Sequence, residues 1–312
     1  MSLIHLLCDA LYVDESEIIK FASTSPHRYK IYKIPKRSSK GSRTIAHPSK
    51  ELKFIQRLLV SYIKDSFPVH ESSYAYKVGT GIKDNAKVHS NTKYLLKMDF
   101  ENFFPSIKPE IFFSTSEKLG LIYSEKDMML LKNILFFKDK RTSPLRLSIG
   151  APSSPFVSNA IMYFFDKEIR NACEEIGIIY TRYADDLTFS TNNKNTLFDI
   201  PGLVVRILNN NFHGEIKVNE RKTVFTSKAH NRHVTGVTLT NDNKLSVGRN
   251  KKRLISSMVH RFVKNLLEEE DILRLQGLIS FATYIEPMFY QRMCRKYGED
   301  NLIKLKRFNK GG

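Results

Sequence analysis

The chain reads as an α+β protein, and three observations predict that class. Apolar residues recur at helical spacing near both ends, the middle alternates between strand-like and helix-like segments, and no stretch is rich enough in Gly, Pro or Ser to act as a linker. The parts are therefore expected to form one continuous body.

The elements follow in order. Residues 3–22 predict one short helix or two. RYKIYKIPKRSSKGSRTIAHP, from Arg28 to Pro48, predicts two strands bounded by Pro35 and Pro48 and joined by a basic turn from Lys36 to Gly41. Leu52, Ile55, Leu58, Leu59, Tyr62 and Ile63 lie at helical spacing. KYLLKMDFENFFPSI predicts an apolar strand ending at Asp99 and running into a turn at Pro105, after which Pro109 opens a helix that Gly120 closes. An apolar stripe from Val157 to Ile176 predicts a single helix, with Ser154 as N-cap, Pro155 as first residue and Gly177 as stop. A strand pair around Asp185 and Asp186 comes next, then a helix near 197–210, strand character through HVTGVTL, and a helical, basic tail from Ser246.

The charge balance points to a partner. Lys and Arg number 50 against 32 Asp and Glu, a net charge of +18, which suits a polyanion and first of all nucleic acid. The cysteines (Cys8, Cys173, Cys294) are few and scattered, so a disulfide framework and a zinc site are both excluded and a reducing cytoplasm is expected. No apolar run approaches a membrane span and the N-terminus lacks signal-peptide features, so no membrane partner is expected.

One stretch resists this reading. IIYTRYADDLTFS is an apolar strand pattern interrupted by Asp185 and Asp186. Strand neighbours point to opposite faces, and two carboxylates about 4 Å apart repel by roughly 4 kcal/mol at an effective dielectric near 20. An adjacent Asp pair is ordinarily a solvated turn. A turn at Ala184–Asp186 would also let both carboxylates face one place, where a divalent cation would cancel their repulsion. Asp99, at the end of another apolar strand, would supply a third carboxylate. Three carboxylates and two magnesium ions are what phosphoryl transfer requires.

Three motifs in register now carry a resemblance. YADD (Tyr183–Asp186), MDFENFFPS (Met98–Ser106) and GAPSSP (Gly150–Pro155) together resemble the palm of the reverse transcriptases, over most of the chain from about Arg28 onward. NAKVH (Asn85–His89) and VTG (Val234–Gly236) resemble the NAxxH and VTG signatures of retron reverse transcriptases. The resemblance implies a right-hand polymerase. N-terminal helices and fingers would occupy 1–95, a palm of antiparallel sheet and helices 96–240 with finger elements around 125–150, and a small helical thumb 241–312.

The resemblance also implies roles. Asp99 and Asp185 would bind two Mg2+ ions, with Asp186 assisting and the carbonyl of Phe100 as a further ligand. Phe104 would be the steric gate that selects dNTPs, leaving Phe103 to the core. Arg43 and Lys40 would hold the triphosphate, for which the Arg fork is suited. Gly150, Ala151 and Pro152 would form the loop beneath the nascent base pair, and Lys222 would stand near the leaving pyrophosphate. A solvated basic turn accounts as well for Lys36, Arg37 and Lys40, and a surface lysine for Lys222. Ile149 stands where the family carries Gln, so that contact to the incoming nucleotide is in question.

Asn85, His89, Val234, Thr235 and Gly236 would touch RNA or the primer terminus. Arg249, Lys251, Lys252, Arg253, Arg261 and Lys264 charge one predicted helix, whose apolar face is Leu254, Ile255, Met258, Phe262 and Leu266. Such a helix can follow duplex phosphates without reading sequence.

The function so implied is the copying of part of a cognate structured noncoding RNA into single-stranded DNA. Synthesis would be primed from an internal guanosine 2′-hydroxyl and leave a branched RNA–DNA product, msDNA, within an anti-phage retron system that includes an accessory effector protein. With nothing expected after the thumb, a host RNase H acting in trans would degrade the template. The alternatives are a group II intron-like reverse transcriptase, an RNA-dependent RNA polymerase, or a non-catalytic RNA-binding protein with a polymerase-like palm. A bulky residue at Phe104 opposes the second, and three intact carboxylates oppose the third.

Overall fold

The computed structural model describes residues 2–35 and 41–309. The N-terminal segment forms two helices, α1 (Leu3–Leu11) and α2 (Glu15–Thr24). Tyr12, at a left-handed φ of 55°, ends the first. β1 (Tyr29–Pro35) and β2 (Ser42–Pro48) pair antiparallel, from Tyr29↔Pro48 to Pro35↔Ser42. Lys40, expected to hold the triphosphate, lies outside the described residues. α3 (Lys50–Ile63) starts where the Ser49 hydroxyl accepts the Leu52 N–H.

α4 (Ile82–Val88) carries the NAxxH segment, and β3 (Tyr94–Asp99) carries Asp99 at its end. Pro105 falls inside a single helical turn, α5 (Phe103–Ser106), and Pro109 opens α6 (Pro109–Lys118) as expected. α7 (Glu125–Leu135) follows.

The helix predicted as continuous from Ser154 to Ile176 is broken. It forms α8 (Ser154–Ile161) and α9 (Tyr163–Glu175), which restarts with the Asp166 N–H on the carbonyl of Met162. Met162 itself is fully buried. α9 then packs on β4 (Ile179–Tyr183), which a two-residue turn joins to β5 (Asp186–Thr191). α10 (Ile200–Phe212), β6 (Val224–Ser227), β7 (Arg232–Val234), β8 (Val237–Leu239) and β9 (Leu245–Ser246) come next. The tail is helical: α11 (Arg249–Val263), α12 (Glu269–Ile285), α13 (Pro287–Tyr297) and α14 (Glu299–Arg307). Among the described residues no helix is long and apolar enough to cross a membrane.

The strand order of the four-stranded sheet is β4-β5-β3-β6, and β7-β8-β9 form a separate three-stranded sheet. Contacts divide the chain into two compact units that interleave along the sequence. One comprises Met1–Val78, Met98–Leu187 and Phe198–Thr223; the other comprises Gly79–Lys97, Thr188–Leu197 and Val224–Gly312. The chain passes between them five times, at 78/79, 97/98, 187/188, 197/198 and 223/224, the second and third of these inside β3 and β5.

In the first unit α1, α2, α3 and α7 pack around Leu7, Leu52, Leu59 and Leu131, all fully buried. Gln56 crosses that core, donating to the Tyr29 hydroxyl and to the Ile134 carbonyl. In the second unit one apolar cluster joins Ala86 of α4, Val234 and Val237 of the β7–β8 hairpin, and Ile255, Leu275 and Leu302 of the helical tail. Full burial of each such aliphatic side chain contributes about 1.5–3 kcal/mol.

Candidate active site

The end of β3 is held from two sides. The Phe100 N–H donates to the carbonyl of Asp185 (3.2 Å), the Asn219 N–H to the carbonyl of Asp99 (2.7 Å), and the Glu101 N–H to the carbonyl of Lys217 (2.8 Å). These bonds bring the tip of β3, the Ala184–Asp185 turn and the 217–219 segment together. Asp99 and Asp185 both line a cleft of about 1200 Å³ within the first unit. Asp186 does not join them: it is exposed and is not part of the cleft lining. The expectation that both carboxylates of the pair face one place is corrected here. Asp186 already belongs to β5, where alternation governs the side chains, whereas Asp185 belongs to the turn.

The electrostatics centre on Asp99 and Asp185. Burial pushes the Asp185 carboxyl above its ordinary range and the Asp99 charge adds to that, while Lys222 and Arg43 pull the other way. Lys222 donates to both carboxylate oxygens of Asp99, at 2.9 Å each. It is thus bound to the site rather than being a lone surface lysine.

Oxygen donors in a partly desolvated, mutually repelling pair suit Mg2+, which takes one or two carboxylates together with substrate phosphates. Among the described residues no three His, Cys, Asp or Glu side chains gather closely enough to hold an ion. The carboxylates of the cleft that would face such an ion are Asp99 and Asp185.

The walls of the cleft follow from the motifs. Phe103 is buried against Phe100, with ring centroids 5.2 Å apart, while Phe104 is half-buried and lines the cleft. Arg43 is exposed on β2 and lines it too. Gly150 has a φ of +127°, and a Cβ there would lie 3.0 Å from the Ala46 carbonyl oxygen and 3.2 Å from Ile45. Only glycine fits that approach without displacing β2. Ile149, in place of Gln, accepts the Ala46 N–H on its carbonyl (3.0 Å), and the Ala151 N–H bonds the Ser148 hydroxyl (3.2 Å). The GAPSSP loop is thus fastened to the strand that carries Arg43.

Further residues of the cleft were missed. Tyr76, at φ 58°, lines it, and the Asp185 charge adds to burial in raising its phenol. Lys53, Arg57, Arg146 and Lys217 add positive charge to the walls, and His47 lines them too. His47 and Lys53 are in direct contact. The spacing of Lys53 and Arg57, one turn apart opposite the apolar stripe of α3, was a usable signal; which way that face looks was not.

The signature segments lie in the second unit. Asn85, His89 and Val234 are fully buried, which corrects their assignment to RNA contact. His89 Nδ1 lies 2.6 Å from the Ser190 hydroxyl, and burial pushes its imidazole down to about 3. Val234 pairs with Val237 across the two-residue turn Thr235–Gly236, both at positive φ. Thr235 donates to the Ile82 carbonyl (3.3 Å), and Lys251 donates to the Gly236 carbonyl (3.1 Å) while lying over the Phe281 ring.

On α11 the buried stripe is Ile255, Met258 and Val259, with Phe262 partly buried. Leu254 and Leu266, expected on that face, are exposed. Lys252 is held by Glu286 (2.7 Å), so Arg249 and Arg253 remain the exposed cations of its first turns.

A family model described as reverse transcriptase (RNA-dependent DNA polymerase) matches residues 34–239. The retron Ec83 reverse transcriptase of Escherichia coli is 45% identical over 303 residues, covering 96% of both chains. The retron Ec73 enzyme of the same species is 32% identical over 288 residues, covering 88% of this chain and 89% of its own. Among solved structures, the telomerase of Candida albicans with the TWJ fragment of telomeric RNA superposes with a TM-score of 0.50 at 12% identity, over 91% of this chain and 61% of that one. Apo telomerase from Candida tropicalis gives 0.50 at 14% identity, over 87% and 58%. The telomerase likenesses concern the fold alone, an α+β polymerase fold of the right-hand type. The chain belongs to the reverse transcriptases, the RNA-directed DNA polymerases, and within them to the retron group.

Proposed function

We propose that the cleft of Asp99 and Asp185 joins dNTPs to a growing DNA strand on an RNA template, and that the template is part of a structured noncoding RNA cognate to this chain. The observation that carries the site is the approach of those two carboxylates in one cationic cleft. Arg43 would clamp the triphosphate with its fork. The Phe104 ring would press on C2′ of the sugar, and the Gly150–Ala151 loop would support the base pair from below. The primer hydroxyl attacks the α-phosphorus, the bond to the β-phosphate oxygen breaks, and pyrophosphate leaves. Lys222 would then release Asp99 and bring its ammonium to the charge that grows on that leaving group. Asp99 and Asp185 would hold two magnesium ions, with the Phe100 carbonyl as a further ligand; when bound, these ions lower the pKa of the attacking hydroxyl and neutralise the phosphates.

Priming from a guanosine 2′-hydroxyl, a branched RNA–DNA product and a place in anti-phage defence beside an effector protein extend the same reading. Support for them comes from the resemblance to retron enzymes in the NAxxH and VTG segments. The test is Asp185→Asn. Its rate of DNA synthesis on an RNA template should fall by about 10³-fold, the loss of roughly 4 kcal/mol of transition-state stabilisation, with RNA binding kept. Wild-type synthesis by that variant refutes the site. Nucleic acid that copurifies with the wild type should be part RNA and part DNA, joined through a branch that debranching enzyme opens; a plain linear RNA refutes the priming scheme.

A further inference from the structure

Beneath the Ala184–Asp185 turn lies a charged pair with no exposure at all. Arg182 of β4 and Asp166 of α9 are both fully buried. The guanidinium grips the carboxylate through Nε (2.9 and 3.1 Å) and Nη2 (2.7 Å). Its remaining arm, Nη1, donates to the carbonyl of Ala184 (3.1 Å) and to Asn159 Oδ1 (3.3 Å). Asn159 is itself fixed by the Ser73 hydroxyl (3.0 Å) and by donating to the Ala75 carbonyl (2.9 Å). The Arg182 backbone is bound as well: its N–H donates to the Ser72 carbonyl (2.7 Å), and its carbonyl accepts the Tyr74 N–H (2.8 Å).

Stability alone does not call for this arrangement, since a buried ion pair can often be exchanged for well-packed apolar residues with little loss. What an apolar pair could not do is hold a carbonyl. Ala184 sits at a left-handed φ of 57°, a conformation a non-glycine residue keeps only when its surroundings impose it. The Ala184 carbonyl is the last acceptor before Asp185, and the group that grips it is Nη1 of Arg182. A lysine has one ammonium, which could not serve Asp166 and Ala184 in the same planar geometry.

We propose that Arg182, braced by Asp166 and Asn159, is a positioning residue for catalysis: it locks the left-handed turn at Ala184 and thereby aims the Asp185 carboxylate at Asp99. This rests on the reading of Asp99 and Asp185 as the catalytic pair. The same bonds tie the turn to the 72–75 segment, which leads directly to Tyr76 in the cleft wall.

The test compares wild type, Asp185→Asn, Arg182→Lys, and the apolar exchange Arg182→Met with Asp166→Leu, all as the full chain. DNA synthesis is followed on a DNA-primed RNA template over a magnesium titration, with RNA affinity and the thermal midpoint measured alongside. The apolar exchange should melt cooperatively and bind RNA as wild type does, yet lose at least about 30-fold in kcat, a loose aim costing that much, and need several-fold more magnesium for half-maximal rate. Arg182→Lys, which keeps the buried charge pair should the exchange fail to fold, should show the same shift in magnesium demand with unchanged RNA affinity. A folded exchange variant or Arg182→Lys with wild-type kcat and magnesium demand overturns the positioning role. An active Asp185→Asn overturns instead the reading of the site, so the two fail separately.

Discussion

The ammonium of Lys222 lies 2.9 Å from each carboxylate oxygen of Asp99, and the two residues are 123 positions apart in the chain. The lysine sits where a cation is wanted, beside a pair of carboxylates that repel each other. On the proposed reading, a magnesium ion would have to compete with it for Asp99. Lys222→Ala should therefore bind Mg2+ or Mn2+ more tightly in the absence of nucleotide, by severalfold in a calorimetric titration. Its rate of incorporation should nevertheless fall by roughly 10²-fold, the order of loss when one positioned charge facing the leaving group is removed. Lys222→Arg, keeping the charge, should fall between. Metal affinity unchanged in Lys222→Ala would remove the competition from the account.

Phe104 and Phe103 separate a cleft-lining ring from a core ring. Phe104→Ala should admit ribonucleotides, lowering the preference for dNTP over NTP by roughly 10–200-fold, the range one apolar pocket contact supplies. Phe103→Ala should instead lower stability by about 3–5 kcal/mol and leave the ratio near wild type. Single-nucleotide incorporation with matched dNTP and NTP, set beside denaturant midpoints, separates the two. A Phe104→Ala enzyme that still rejects NTPs would sink the gate.

His89 gives a pH dependence to stability. Its imidazole, fully buried, is pushed down to about 3. In the unfolded chain it takes up a proton as pH falls below about 6.5, and in the folded protein it does not until about pH 3. The stability that depends on the neutral ring is complete above pH 6.5. It is lost on acidification through that window, at up to about 1.4 kcal/mol per pH unit. His89→Asn should be less stable at neutral pH, because Ser190 loses its partner, but its stability should decline less steeply between pH 6.5 and 4. Urea midpoints measured across that range would decide; parallel curves would show that another group carries the acid dependence.

Several local features were legible because they obey short-range rules. The Pro109 start of α6 and the strand ending at Asp99 follow from propensity and turn chemistry alone. The need for glycine at position 150 was visible only as a motif, and its cause is a neighbour more than 100 positions earlier, Ala46. The break at Met162 was not legible, because the apolar stripe runs through it without interruption. On α11 the periodicity identified the helix but misassigned Leu254 and Leu266 to its buried face.

By itself the sequence determined the motif set, its order and hence the family, along with the placing of Asp99 at a strand end and Asp185 in a turn. These depend on neighbours within a few residues. Tertiary structure alone decided that Asp185 enters the cleft while Asp186 does not, that Lys222 takes Asp99, and that Arg182 braces the turn. It likewise decided that Asn85 and His89 are buried and that Lys251 and Lys252 are engaged internally. Each of these outcomes hangs on which distant segment arrives beside a given side chain, and charge and burial act through distance in space, which position along the chain does not encode.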